Sequence, residues 1–386
     1  MKKIAVLTAT RAEYGLLRNI ISKLDSDNSL KINILVTGMH LSKSFGYTCK
    51  EIEEDGFSID DRIPILQDND SSEGVNTAIG LAITQFGHYF ANNKPDLLIV
   101  LGDRYETLAV CIAAMNELIP IAHLYGGETT EGAVDEAIRH SITKMSQLHF
   151  TSTELYRKRV IQLGESPDRV FNVGATGVEN ALSENLLSRY DLEDSIGFKL
   201  GEKYAVVTFH PVTLEKESAE EQFCQLLKAL NKYDFKYIFT KANADAKGKT
   251  INKLIDEYVK SNSNVIAFES LGTVRYLSAV KWSSLVIGNS SSGIVEVPTF
   301  GVPTINIGDR QKGRVASDSV INCKPTCNDI CRAIDLAMLS NFRKRIKNMD
   351  NPYGDGKSSD KIVNIIKKFL FNDSMDLKKK FYDIEF

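Results

Sequence analysis

Leu97-Leu98-Ile99-Val100-Leu101-Gly102-Asp103-Arg104-Tyr105-Glu106 is the stretch on which the reading of the fold turns. Five consecutive apolar residues match a strand covered on both faces, as in parallel sheets. Past Arg104 the spacing changes, and Tyr105, Leu108, Ala109 and Ile112 fall on one face of a helix. A buried strand that passes through glycine into charged residues and then a helix is a βα junction of an open α/β sheet. Side chains at such a turn lie at the edge where these sheets bind ligands.

The same unit recurs in both directions along the chain. Strand candidates in the first half are 4–7, 32–36, 97–101, 121–124 and 148–151. The pattern restarts with 205–209, 237–240, 265–268, 285–287 and 304–307, with helices expected over 217–230, 248–260, 274–281 and 357–371. Strand–helix alternation in units of about 30 residues argues for doubly wound parallel sheets. We read residues 1–182 as an N-terminal α/β domain, 183–203 as a polar linker and 204–370 as a C-terminal α/β domain. Residues 371–386 read as a tail packing back on the N-terminal domain. The expected fold class is thus α/β: two Rossmann-like domains facing a central cleft, an arrangement like that of the GT-B glycosyltransferases.

Composition narrows the function. The 386 residues are 43% hydrophobic and 25% charged, with a net charge of −3, so no global basic field would recruit nucleic acid or anionic lipid. The amino-terminal apolar run, 4–7, is too short for a signal-peptide core, and no run approaches membrane-spanning length. Six scattered cysteines do not form a disulfide framework, and the expected location is the cytoplasm. Cys323, Cys327 and Cys331 repeat every four residues. With Pro325 among them and no histidine after His210, free thiols fit better than a metal site.

The strand ends carry the chemistry. Thr8-Ala9-Thr10-Arg11-Ala12-Glu13 lacks the Gly-x-Gly-x-x-Gly fingerprint, and no Gly-Lys-Ser/Thr loop occurs, which disfavours NAD and ATP. Arg11 could meet a phosphate or pair with Glu13. Asp103 and Arg104 follow the third strand, with a helix cap as the plainer reading of Asp103. Gly126-Gly127-Glu128 follows the fourth. Asp135 and Arg139, and Glu136 and His140, are spaced i,i+4 on the next helix. Three consecutive junctions with carboxylates resemble acid–base apparatus. In the second half Pro211 can aim His210, 237–240 leads to Asn243, and Gly288-Asn289-Ser290-Ser291-Ser292-Gly293 opens a helix whose start suits a phosphate. Glu296 lies one turn on, where it could hold a ribose diol. Arg310 and its neighbours add local positive charge.

At these residues the sequence resembles the hydrolysing UDP-N-acetylglucosamine 2-epimerases, in the bacterial form serving sialic acid synthesis. TRAEYG, VTGMH, GDRYE, GGE, DEAIRHSITK, FHP, IGNSSSG and NIGDRQKGR stand in family order over nearly the whole chain. Glu13 departs mildly, since several relatives have Asp there. The resemblance implies catalytic carboxylates at Asp103, Glu128 and Asp135. It implies UDP contacts from Arg11, Arg104, His210, Asn243, Ser290, Ser291, Glu296 and Arg310, and sugar contacts from His40, Glu136 and Arg139. It further implies no cofactor, no metal and a homodimer or homotetramer. Three alternatives stay open: UDP-N,N′-diacetylbacillosamine as substrate, a two-domain glycosyltransferase, and a non-catalytic UDP-sugar-binding protein.

Overall fold

The structure is a computed structural model, and it describes every residue except 44–45, 67–70, 131–133, 183–184, 212–217, 243–247, 373–376 and 386. It divides into two compact units. One comprises 1–129, 133–176 and 357–386, the other 130–132 and 177–356.

The first unit carries β1 (Lys2–Thr8), β2 (Leu30–Thr37), β3 (Ile59–Ile63), β4 (Leu97–Leu101), β5 (Ile121–Leu124), β6 (Leu148–Thr151) and β7 (Val170–Asn172). They form one parallel sheet in the order β3-β2-β1-β4-β5-β6-β7. Alternation explains the continuous apolar runs. Ile4, Val6, Leu97, Ile99 and Leu101 face one core, while Ala5, Leu7, Leu98 and Val100 face another across the sheet.

The second unit repeats the plan with β8 (Tyr204–Thr208), β9 (Lys236–Thr240), β10 (Val265–Phe268), β11 (Leu285–Gly288), β12 (Thr304–Ile307) and β13 (Val320–Cys323). Its parallel order is β10-β9-β8-β11-β12-β13. Ala205, Val207 and Phe209 enter one core, and Tyr204 and Val206 the other. In both units the winding direction reverses between two strands, β1 and β4 or β8 and β11. The carboxyl ends at such a switch point leave a crevice for ligands.

Three boundaries differ from the sequence reading. β3, β7 and β13 are edge or near-edge strands with partly polar sequences, IDDRI, VFN and VINC, so they lack the apolar run that marks the others. The stretch expected as a linker contains the helix Arg189–Ile196, whose Leu192 and Ile196, with Leu200, pack in the second unit's core. The last helix, Ser358–Phe371, sorts with the first unit. Its Ile362, Val363, Ile366 and Phe369 share a core with Leu17, Ile20, Ile21 and Leu24 of the Arg11–Asp25 helix. Lys23–Asp360 (2.6 Å) and Lys367–Asp27 ion pairs flank that seam. Beyond it, Lys379 Nζ donates to the carbonyls of Lys144 and Ser146, closing the end of the Asp135–Met145 helix. No described helix is long and apolar enough to cross a membrane.

Candidate active site

In the first unit the carboxylates gather around one guanidinium. Arg139, on the Asp135–Met145 helix, has a side chain only 2% exposed. Its Nη1 donates to Glu136 Oε2 at 2.8 Å and to the Glu128 carbonyl at 2.8 Å, and Nη2 pairs with Asp103 Oδ2. The planar guanidinium, with five N–H donors in a fixed fork, holds three acceptors, from the end of β4, the end of β5 and its own helix, in one geometry. Glu128 is itself buried, with Oε1 accepting from Ser152 Oγ at 2.8 Å. Glu136 Oε1 receives Thr129 Oγ1 at 3.0 Å and lies 3.3 Å from His140 Nε2. The backbone is shaped to allow this. Gly127 sits at φ 76°, and a Cβ there would stand 2.4 Å from the Tyr156 carbonyl.

Asp103, Glu128, Glu136 and Arg139 are therefore brought together at the ends of β4 and β5. The helix cap after Asp103 is Arg104, so Asp103 serves Arg139 and not the helix start. Asp135 is the exposed first residue of its helix, one position from Glu136. Arg104 binds Glu106 in a fork, with Nε–Oε2 at 3.2 Å and Nη2–Oε1 at 3.0 Å. Burial works against its charge, but the Glu106 and Glu13 carboxylates outweigh that and raise its pKa. Glu13 turns inward from the expected Arg11 pairing. It caps its own helix, with Oε2 accepting from the Ala9 and Thr10 amides at 2.8 and 3.2 Å. Burial pushes its pKa up to about 7. Arg11 faces Glu51 at 3.9 Å.

His40 is fully buried, with Nε2 3.0 Å from Thr8 Oγ1 and Nδ1 2.8 Å from Thr48 Oγ1. Burial lowers its pKa to about 4. With both nitrogens engaged by the protein, it acts in this structure as a neutral tie between β1 and the loop after β2.

The second unit's switch point is built differently. Gly288 at φ 140° brings its Cα against β8, and a Cβ would stand 1.8 Å from the Thr208 carbonyl. Asn289 then pairs with His210 through both backbone groups, N–H to Oδ1 at 2.7 Å and Nδ2–H to the carbonyl at 2.8 Å. That amide holds the His210 main chain just before Pro211. The Asn289 carbonyl accepts from Arg310 Nη1 at 3.0 Å and Gln311 Nε2 at 2.9 Å. His210 Nδ1 and Gln311 Oε1 are buried with no hydrogen-bond partner among the described residues. Burial, then the Arg310 charge, lowers the His210 pKa to about 3. Ser290 Oγ accepts from the Ser292 amide at 3.3 Å, and Ser291 is exposed. The expected helix is a four-residue turn, Ser292–Val295, followed by the 3₁₀ segment Val297–Phe300 with Pro298 near its start. A turn so short carries little macrodipole, so side chains and amides matter more than the dipole there. Glu296 joins the two segments, and Asn243 lies outside the described residues.

Sequence reasoning missed Ser152, Thr129 and His123. Ser152 directly follows β6, so the strand-end rule would have found it. His123 lies inside β5 and left no such signal. Cys323, Cys327 and Cys331 pack beside the second unit's core, and no cluster of three or more His, Cys, Asp or Glu residues suited to a metal occurs among the described residues.

A family model described as "UDP-N-acetylglucosamine 2-epimerase" matches residues 22–367, most of the chain. The chain belongs to that epimerase family. Among relatives of this epimerase, a Campylobacter jejuni protein named GDP/UDP-N,N′-diacetylbacillosamine 2-epimerase (hydrolyzing) is 43% identical over 99% of each chain. The Escherichia coli polysialic acid biosynthesis protein P7 is also 43% identical, over 100% of this chain and 98% of its own. The Neisseria meningitidis UDP-GlcNAc 2-epimerase crystallised with UDP-GlcNAc has the same fold, at TM-score 0.81 and 20% identity, over 95% of the epimerase and 100% of that chain. The epimerase is thus an enzyme of the hydrolysing UDP-sugar 2-epimerase group.

Proposed function

We propose that this enzyme converts UDP-GlcNAc and water to N-acetylmannosamine and UDP. The observation that carries the reading is the gathering of Asp103, Glu128 and Glu136 around Arg139, which takes the Asp103 and Glu136 carboxylates and the Glu128 carbonyl, with Asp135 adjoining, at a switch point that lacks a dinucleotide fingerprint. Inverting C2 of an N-acetyl sugar without a redox cofactor calls for elimination. The C1–O bond breaks with its electron pair leaving on UDP, and a carboxylate takes the C2 proton, giving 2-acetamidoglucal. Water then adds at C1 while C2 receives a proton on the opposite face. Such a sequence needs several carboxyl groups, one of them protonated.

Asp103, Glu128 and Asp135 are assigned to proton removal, proton return and water activation, without order among them. His40, Glu136 and Arg139 are assigned to the sugar side. For His40 that role is indirect, since Thr8 and Thr48 occupy its ring nitrogens. UDP is assigned to Arg11, Arg104, His210, Asn243, Ser290, Ser291, Glu296 and Arg310. The unpartnered His210 Nδ1 and Gln311 Oε1 support a polar ligand in the second unit. The enzyme is expected to work in the cytoplasm as a homodimer or homotetramer.

A second substrate has its own support. Relatives 43% and 35% identical are named for UDP-N,N′-diacetylbacillosamine, whereas the relative 31% identical is named for UDP-GlcNAc. Incubation of each sugar nucleotide in deuterated water, followed by NMR, tests both readings. UDP-GlcNAc should give UDP and free N-acetylmannosamine with deuterium at C2. A kcat/KM more than ~10-fold higher for the diacetylated sugar would move the substrate, and product without deuterium at C2 would sink the elimination.

A further inference from the structure

The buried histidine of β5 is a titratable group beside this site that the proposed chemistry leaves unused. His123 has no exposed surface. Its Nε2 lies 2.8 Å from the Gly102 carbonyl, and its Nδ1 3.3 Å from Thr143 Oγ1. Thr143 Oγ1 also reaches the Arg139 carbonyl at 3.0 Å. The imidazole thus bonds the residue before Asp103 through Nε2, while the single Thr143 hydroxyl proton serves the Arg139 carbonyl or Nδ1, so Thr143 packs between the ring and the helix residue whose guanidinium holds Asp103. The packing is made to measure, since a Cβ at Gly126 would stand 3.1 Å from Thr143 Oγ1 and 3.3 Å from His123 Nδ1.

Bonding to a carbonyl requires the proton on Nε2, which leaves Nδ1 as an acceptor. Burial, and then electrostatic neighbours that include His149 beside it on β6, hold the His123 pKa down at about 3. The ring is a fixed neutral donor and not an acid or base of the reaction. Gly102 stands at φ 80°, a conformation that without a tether leaves a glycine turn several options.

We infer that His123 is a positioning residue for the proposed reaction: its Nε2–H pins the Gly102 carbonyl and thereby fixes the turn that presents Asp103 to Arg139. This rests on the assignment of Asp103 as a catalytic carboxylate. A misplacement of about 1 Å costs on the order of 10²-fold in rate, so His123→Leu should lower kcat roughly 30- to 100-fold with UDP affinity unchanged. His123→Gln, whose amide N–H can reach the same carbonyl, should recover to within ~5-fold of wild type. His123→Asn is too short and should resemble Leu. Combined with Asp103→Asn, His123→Leu should add less than ~2-fold, because both act through one carboxylate.

A His123→Leu or His123→Asn rate within ~3-fold of wild type overturns the proposal, as does a double variant whose losses multiply. If His123→Leu does not fold, the Gln and Asn pair decides, and equal rates in those two overturn it. Full activity in Asp103→Asn would remove the functional reading and this inference together. A crippled Asp103→Asn beside a fast His123→Leu removes the inference alone.

Discussion

Replacing Arg139 by methionine tests the hub of the site. Methionine fills much of the same volume, so the chief losses are electrostatic. The Glu128 carbonyl, buried and bonded at 2.8 Å, loses this donor, at about 1–3 kcal/mol. The two carboxylates that lose their cation are 27% and 31% exposed, so water can take them back. They add about 0–1 kcal/mol each, less than a fully buried pair would. The sum is roughly 1–5 kcal/mol, or a fall in melting temperature of roughly 2–20 °C for a unit of this size. Activity should suffer more. Asp103 and the Glu128 backbone both lose their common anchor, so kcat should fall by at least ~10²-fold. UDP affinity should stay within ~2-fold, because the groups assigned to UDP on the second unit are untouched. Calorimetry, a UDP-release assay and UDP titration would measure all three. A variant that melts within ~1 °C of wild type and turns over within ~3-fold would refute the hub. An activity loss matched by lost UDP affinity would refute the division of roles.

Two further predictions follow from the same contacts. Glu13 is buried with its pKa raised to about 7 from an ordinary 4.5, so the folded state keeps a proton that the unfolded state releases. Stability should fall as pH rises from 4.5 to 7 and then level off, by up to about 3 kcal/mol. Glu13→Gln keeps an acceptor for the Ala9 and Thr10 amides, so it should melt higher than wild type at pH 8 and equally at pH 4.5; no gain at pH 8 would sink this reading. Gly288→Ala would thrust a methyl to 1.8 Å from the Thr208 carbonyl at φ 140°, so it should destabilise the second unit by about 3 kcal/mol and abolish measurable UDP binding. Wild-type UDP affinity in that variant would show that the Gly288 turn does not shape the site.

The sequence was most legible where burial is two-sided. β4, β5, β6, β10 and β12 match their expected ranges to the residue. β4, LLIVL, is wholly apolar and buried. The apolar positions of the other four were enough to mark them, although buried His123, His149 and Asn306 stand among them and β10 lies at an edge. β3, β7 and β13 escaped because an edge position tolerates Asp, Arg or Asn. The last helix was assigned by adjacency in sequence, but its Ile362, Ile366 and Phe369 stripe found its complement on the first unit's Arg11–Asp25 helix. At the site, the strand-end rule located Asp103, Arg104, Glu128 and His210. It could not show that Arg104 would be held by Glu106, or that Arg139 rather than solvent would hold Asp103. Those are contacts between residues that spacing alone does not relate.

One topology used twice here places different side chains at its two switch points. At the β1/β4 switch point Arg139 pairs with the carboxylates of Asp103 and Glu136 and with the Glu128 carbonyl, the Glu128 carboxylate accepts from Ser152, and Arg104 is bound by Glu106. A neutral pyranose with a proton to lose would meet carboxylates there, with Arg11 and Arg104 beside them for the end of a diphosphate. At the β8/β11 switch point the described groups are amides, hydroxyls, Arg310 and a histidine whose pKa of about 3 keeps it uncharged at neutral pH. A neutral His210 can offer a diphosphate an N–H without becoming trapped as an ion pair, leaving Arg310 to supply the charge. Departing UDP needs that balance, held firmly enough to stabilise the developing negative charge yet released at the end of each cycle. Two sheets of like topology thus need not hold like ligands, since the residues after each strand decide what the crevice can hold.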